Sequence, residues 1–208
     1  LDNVDGARAK AEAGQLCFGT VDTYLMYRLS AGEVFKTDIT NASRTMLFNI
    51  NTLRWDDELL KLFDIPKTLL PEVVHSDSCF GSLSELGDIT IHAVLGDQQA
   101  ALFGQGCLEK GQLKSTYGTG CFIMSNVGDE PIHSEDGLLT TIGFSLNGKV
   151  YYAIEGSIYA SGTTVQWLRD NLQFFDKSDQ SETYLNEDGN ANNVLFIPAF
   201  TGLGAPYW

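Results

Sequence analysis

The fold of this chain is decided by the stretch Ala93-Val94-Leu95-Gly96-Asp97-Gln98-Gln99-Ala100-Ala101-Leu102-Phe103-Gly104. The apolar and β-branched residues of 89–95 predict a buried strand, and Gly96 allows a tight turn after it. Asp97 then stands where a helix N-cap would stand, and we expect a helix over 98–108.

A second stretch lies just after the first: Ser115-Thr116-Tyr117-Gly118-Thr119-Gly120-Cys121-Phe122. It predicts a strand that breaks into Gly-Thr-Gly. Two glycines around a hydroxyl let the backbone approach an anion closely and direct its N–H groups toward it. Phosphoryl transfer needs a group that accepts a hydroxyl proton and another that holds phosphate oxygens, and these two stretches offer both.

Each stretch also has a simpler interpretation. Asp97 could serve only as a helix cap, and the 118–120 segment could be only a hairpin turn or a bulge. The two patterns by themselves leave both interpretations open.

The two motifs together closely resemble the FGGY family of carbohydrate kinases, and within it the members that phosphorylate glycerol. The segments 18–25, 40–50 and 198–208 resemble the same family, so the likeness covers nearly the whole chain. It implies an α/β fold of actin-like ATPase, ribonuclease-H-like domains, two in number, with a cleft between them. Residues 1–107 would be the C-terminal part of the first, substrate-side domain, and 108–208 the N-terminal part of the second, nucleotide-side domain.

The resemblance implies ATP-dependent phosphorylation of glycerol to glycerol 3-phosphate, with ATP and Mg²⁺ as cofactors. It assigns Asp97 as the catalytic base and as a substrate contact. The other residues that it assigns to substrate are Gln98 and Phe122, and to nucleotide Gly118, Thr119, Gly162 and Gln166. It assigns no residue of this chain to the metal with certainty. Phe122 as plain core packing and Gly162 as a helix-packing glycine are the simpler alternatives.

Two other functions remain open. One is a kinase of the same family acting on another sugar or polyol, such as xylulose or gluconate. The other is a non-catalytic, actin-like nucleotide-binding protein. The Gln98-Gln99 pair and Phe122 favour glycerol. The resemblance also leads us to expect a fragment of a longer enzyme, and the Gly-x-Arg loop that binds an allosteric sugar bisphosphate in some family members is replaced by Gly87-Asp88-Ile89.

Composition limits the partners. The 208 residues carry a formal net charge of -14, so we expect neither nucleic acid nor an anionic membrane surface as a partner. Glycerol and ATP or ADP are the expected partners, without a membrane span and with a homo-oligomer left open. The four cysteines form no Cys-x-x-Cys pair and predict buried free thiols in a reducing cytoplasm.

Further elements follow from periodicity. We expect a helix over 21–29 with Val21, Leu25 and Leu29 on its apolar stripe, and Asn147-Gly148 predicts a hairpin turn. A longer helix is predicted over 157–175. The predicted strands of the second half are 112–117, 121–126, 137–145, 149–154 and 194–198, and 176–193 is polar with room for one helix.

Overall fold

The computed structural model describes residues 1–185 and 193–208. Their helices, in chain order, are α1 (Ala7–Glu12), α2 (Val21–Leu29), α3 (Ile39–Ala42), α4 (Asp57–Leu62), α5 (Asp97–Gly104), α6 (Gly162–Asp170) and α7 (Ser181–Leu185). Their strands are β1 (Lys36–Asp38), β2 (Phe48–Asn49), β3 (Arg54–Trp55), β4 (Glu72–Val74), β5 (Gly81–Leu83), β6 (Ile89–Ile91), β7 (Leu113–Tyr117), β8 (Cys121–Gly128), β9 (Leu139–Leu146) and β10 (Lys149–Ile158).

The second half is built on an antiparallel sheet with the strand order β7-β8-β10-β9. Each of these strands was predicted from the sequence, although β8 and β10 extend to Gly128 and Ile158, beyond the predicted ends at 126 and 154. The turn between β9 and β10 is also confirmed. Asn147 and Gly148 take φ values of 52° and 76°, and a two-residue hairpin with a type I′ turn requires positive φ at both positions. This sheet is the platform on which α5 rests.

The first half contains smaller pairings. Strands β1 and β4 pair in parallel, while β2 with β3 and β5 with β6 form antiparallel pairs. The predicted buried strand over 89–95 is therefore wrong in length and in burial: only β6 is a strand, and Ile89 is 57% exposed. Beyond Ile91 the main chain makes a single-residue contact, from the Val94 amide to the Ser76 carbonyl, instead of a ladder.

Two apolar clusters join the halves. One packs α3 against the second-half sheet and contains Ile39, Ala42, Phe48, Val127, Ile142 and Tyr152. The other packs α5 on the same sheet and contains Leu102, Cys107, Met124, Phe144 and Ala153. Burial of Leu102, Met124 and Phe144 stabilises by about 1.5–3 kcal/mol each, and this packing holds α5 against the sheet.

Several other predictions need correction. The helix expected over 98–108 is α5 and ends at Gly104, and the helix expected over 157–175 is only α6, since Ile158 still pairs with Cys121 in β10. Residues 194–198 form no strand. Helix α2 exists, but Val21 is 75% exposed whereas Thr23 and Met26 are buried, so its predicted apolar stripe is wrong.

Two expectations are met in part. Cys107 and Cys121 are buried free thiols, whereas Cys17 and Cys79 are exposed. Helix α7 lies in the polar segment 176–193, of which 186–192 falls outside the described residues. Among the residues that the structure describes, none of the helices has the length and apolar character to cross a membrane.

Candidate active site

Asp97 is the first residue of α5 and not its cap. The N-cap is Gly96, and no side chain caps this helix, so the capping role predicted for Asp97 is wrong. The Asp97 side chain is exposed, and the contact it makes is a long one, 3.4 Å from the Gln98 Nε2 to its Oδ2. A carboxylate in this setting is available to accept a proton from a ligand.

The turn before Asp97 is held from behind by a buried polar network. The Gly96 amide donates to Thr40 Oγ1 at 2.9 Å, and Thr40 Oγ1 donates to Asp38 Oδ2 at 2.7 Å. Asp38 caps α3 and also accepts from Ser76 Oγ at 2.7 Å. Burial raises the pKa of the Asp38 carboxyl, and the hydrogen bonds to its oxygens oppose that shift.

Gln98 is joined to the second-half sheet by a lysine. Lys114 lies on β7, is 1% exposed, and donates from Nζ to Gln98 Oε1. The same ammonium donates to Thr116 Oγ1 at 2.8 Å and to the Phe122 carbonyl at 3.4 Å. Lys114 therefore connects the helix of Asp97 to both strands that flank the Gly-Thr-Gly loop.

Lys114 also belongs to a chain of charges. Burial lowers the pKa of its amine, and the carboxylates of Glu155 and Asp97 oppose that effect. Glu155, on β10, is 3% exposed and is held by Arg44 through Nη1 to Oε2 at 2.9 Å and Nη2 to Oε1 at 3.1 Å. The ion pair joins the first half of the chain to the second.

The predicted phosphate-binding residues come together in one place. The loop 118–120 connects β7 to β8, and the start of α6 docks on it. The Gly162 amide donates to the Gly118 carbonyl at 2.8 Å, and the amides of Ser161 and Thr163 donate to the Thr119 carbonyl at 2.9 and 3.3 Å. Thr119 is exposed, and Gln166 is exposed one turn further along α6.

Glycine is required where α6 meets the loop. A Cβ on Gly162 would lie 2.5 Å from the Gly118 carbonyl oxygen, and a Cβ on Gly120 would lie 2.5 Å from the Ile158 carbonyl oxygen. Both contacts are with main-chain atoms, which cannot rotate away. The Gly118 amide is bonded within the loop, to the Gly120 carbonyl at 2.8 Å, so that group is not directed at a ligand as the sequence led us to expect.

Phe122 is half-buried at the start of β8, next to the loop. Its ring lies 3.4 Å from the position that a Cβ on Gly120 would take. A partly exposed aromatic ring is suited to packing on the carbon chain of a small ligand. A cavity of about 480 Å³ lies elsewhere, between α1 and the end of α4, and the residues that line it include none of the predicted site residues.

No metal ligand set is evident here. Within residues 1–185 and 193–208, no group of three His, Cys, Asp or Glu side chains could hold a metal ion.

Lys114, Glu155 and Arg44 were not singled out from the sequence. One signal was available: in β7 the alternation places Lys114 and Thr116 on the same face, and Leu113 on the other. In the structure the lysine is buried and Leu113 is 59% exposed, the reverse of the usual preference of these residue types.

Comparisons with known proteins extend over the whole chain. The model of the N-terminal domain of the FGGY family of carbohydrate kinases matches residues 1–104, and that of the C-terminal domain matches residues 113–208. The chain is 54% identical over 212 residues to a glycerol kinase of Staphylococcus haemolyticus and 57% identical over 211 residues to one of Alteromonas mediterranea. All of this chain is aligned in both cases, and it spans 42% and 43% of the length of those relatives.

Solved structures of kinases also match this chain. A crystal structure of the Plasmodium falciparum glycerol kinase with ADP matches all of this chain with a TM-score of 0.90 and 38% identity, over 42% of its own length. A ligand-bound xylulose kinase from Lactobacillus acidophilus matches 89% of this chain with a TM-score of 0.75 and 24% identity, over 39% of its own length. The xylulose kinase shows likeness of fold alone.

Proposed function

The chain belongs to the FGGY family of carbohydrate kinases and has its actin-like ATPase fold, and from this membership we propose that it contributes to ATP-dependent phosphorylation of glycerol. In this reaction a primary hydroxyl of glycerol attacks the γ-phosphorus of ATP. The bond from that phosphorus to the β,γ-bridging oxygen breaks, and glycerol 3-phosphate and ADP are the products. The hydroxyl proton passes to a base.

Asp97 is that base in our proposal. Its carboxylate is exposed and is not engaged in capping α5. Gln98, next to it, binds a substrate hydroxyl through its carboxamide, and the half-buried ring of Phe122 packs on the carbon chain of glycerol. Named glycerol kinases among the relatives, at more than half identity, support this choice of substrate over other polyols.

The nucleotide phosphates bind at the junction of the 118–120 loop and α6. Gly118 and Thr119 contact the transferred phosphoryl group, and Gly162 and Gln166 contact the rest of the nucleotide. The close main-chain approach of Gly162 to Gly118 supports this, since only glycine allows the helix to meet the loop there. Mg²⁺ accompanies the nucleotide in such reactions, and we assign no residue of this chain to it.

One observation carries the proposal. Lys114 donates to Gln98 on one side and to Thr116 and the Phe122 carbonyl on the other. The predicted base helix and the predicted phosphate loop, which are separate in the sequence, are thereby tied to one ammonium group. Such an arrangement fits a single site better than two unrelated turns.

Three further features of the protein are also part of the proposal. We place the boundary between the two kinase domains at 107–108, and we expect the protein to act in the cytoplasm. A homo-oligomer stays a prediction.

The test uses the full-length gene product that carries these residues, with Mg-ATP and glycerol, xylulose or gluconate in turn. We expect glycerol 3-phosphate to form fastest. Asp97→Asn keeps the shape of the side chain but removes the proton acceptor, so we expect turnover to fall by about two to four orders of magnitude while glycerol still binds.

Asp129→Asn, at an exposed carboxylate between β8 and β9, is the matched control and should leave turnover unchanged. Near-normal turnover by Asp97→Asn would remove Asp97 from the mechanism. Faster turnover of xylulose or gluconate would show that this sugar, and not glycerol, is the substrate. ATP binding without any phosphorylated product would favour a non-catalytic nucleotide-binding protein.

A further inference from the structure

A fully buried lysine is unusual and has to be accounted for. Removing an ammonium group from water costs several kcal/mol unless its donors are satisfied and its charge is compensated. At Lys114 both conditions are met. Its Nζ has three acceptors, which are Gln98 Oε1, Thr116 Oγ1 and the Phe122 carbonyl. The carboxylates of Glu155 and Asp97 compensate its charge.

The contact with Gln98 determines how that carboxamide is oriented. An ammonium group can only donate, so the oxygen of the carboxamide must face Lys114. The amino group, at the other end of the same planar carboxamide, is then directed away from the lysine. It donates to the Asp97 carboxylate, with 3.4 Å between Gln98 Nε2 and Asp97 Oδ2.

We propose that Lys114 is a positioning residue that holds the Gln98 carboxamide in one orientation, so that Gln98 offers a donor and not an acceptor to the substrate beside Asp97. A hydroxyl oxygen that receives this N–H directs its own proton elsewhere, and the Asp97 carboxylate is the adjacent acceptor. The inference rests on the proposed function and extends it to a residue that does not itself reach the substrate.

Two other features support a positioning role over plain packing. Lys114 has Thr116 as its neighbour on the same face of β7, and Thr116 lies two residues before the 118–120 loop. The third acceptor is the main chain of Phe122, a proposed substrate contact. One ammonium group therefore touches the strand before the loop, the strand after it and the side chain beside the base.

The experiment measures KM for glycerol, KM for ATP and kcat of the full-length gene product and its variants. Lys114→Met removes the donor and keeps a side chain of similar length. The Gln98 carboxamide can then rotate and exchange the positions of its oxygen and its amino group. We expect KM for glycerol to rise about ten-fold or more, with KM for ATP changed less than about two-fold. Lys114→Arg keeps a charged donor and should restore most of the glycerol affinity.

A double variant shows whether Lys114 acts by orienting the Gln98 carboxamide or whether its loss disturbs the whole site. In the Gln98→Ala background, Lys114→Met should raise KM for glycerol by no more than about two-fold, because there is no carboxamide left to orient. The same increase in both backgrounds would overturn the proposal, as would an equal rise in KM for ATP. If the parent protein does not phosphorylate glycerol, the proposed function fails first, and that result is distinct from these.

A second variant covers the case in which Lys114→Met does not fold. Gln98→Glu keeps an oxygen for Lys114 but has no amino group at the other end. We expect it to raise KM for glycerol as much as Gln98→Ala does. Glycerol affinity equal to that of the parent would show that no amino group faces the substrate, and would overturn the proposal.

Discussion

At the scale of single residues, two aspartates have opposite tasks although each stands at the start of a helix. Asp38 is fully buried, caps α3 and accepts hydrogen bonds from Thr40, Asn41 and Ser76. Asp97 is exposed and caps nothing. The hydrogen bonds of the fold occupy the first carboxylate, and the second is available to a ligand. Their positions differ by one residue, because Asp38 is an N-cap whereas Asp97 follows its N-cap, Gly96.

Thr119 should act on the nucleotide and not on glycerol. Thr119→Val removes an exposed hydroxyl that we expect to donate to a phosphate oxygen, and a hydrogen bond to a charged group contributes about 1.5–3 kcal/mol. Affinity for ATP should therefore fall roughly ten-fold to a hundred-fold, with glycerol affinity unchanged. Isothermal titration with each ligand measures both, and Thr52→Val, in the turn between β2 and β3, is the control. Loss of glycerol affinity with normal ATP affinity would move the phosphate site elsewhere.

At the scale of elements, the docking of α6 on the 118–120 loop is the feature most sensitive to substitution. Gly162→Ala would place a methyl group 2.5 Å from the Gly118 carbonyl oxygen, so either the helix or the loop has to move. We expect affinity for ADP to fall about ten-fold, a loss of about 1.4 kcal/mol, while glycerol affinity is retained.

The matched control for this change is Gly104→Ala, at the end of α5. A Cβ there meets no atom within 4 Å, so nucleotide affinity should stay at the parent value. Titration with ADP measures the affinity of both variants. Equal losses of ADP affinity would mean that the close approach at Gly162 has no part in nucleotide binding.

The elements also show what a sequence can and cannot predict. The sheet of β7 to β10 was predictable because its segments are rich in apolar and β-branched residues and Asn147-Gly148 fixes a hairpin. The helix over 157–175 failed at its start because Ser157 and Ile158 continue the ladder with Phe122 and Cys121, and pairing of strands prevails over helical periodicity. Lys114 was missed because its burial depends on Gln98 and Glu155, which are distant in sequence.

At the scale of the whole molecule, the Arg44–Glu155 pair ties the two halves together. Arg44→Ala would leave the Glu155 carboxylate, 3% exposed, without its bidentate partner. Breaking a buried pair costs about 3–5 kcal/mol, but the Arg44 side chain is 42% exposed and Lys114 stays close, so we expect a loss of about 2 kcal/mol in the free energy of unfolding. Urea unfolding of the chain measures it.

The control is an ion pair that water reaches freely. Lys67 and Asp57 are 2.7 Å apart with side chains 61% and 77% exposed, and Lys67→Ala should change the free energy of unfolding by no more than about 0.5 kcal/mol. If Arg44→Ala were as mild as Lys67→Ala, the ion pair would contribute little to the link between the halves, which the two apolar clusters and hydrogen bonds such as that of Lys114 with Gln98 would then hold.

The contact between α6 and the 118–120 loop also affects the charge on the far side of that loop. In a trans peptide unit the carbonyl and the N–H point in opposite directions. The carbonyls of Gly118 and Thr119 both face the start of α6, so the N–H groups of Thr119 and Gly120, in the same two peptide units, point away from it. The positive end of the helix dipole polarises those units in series, and its partial charge is relayed to their outer side. A phosphate on that outer side would be attracted by the first amides of α6 without a hydrogen bond to them, because those amides already donate to the loop.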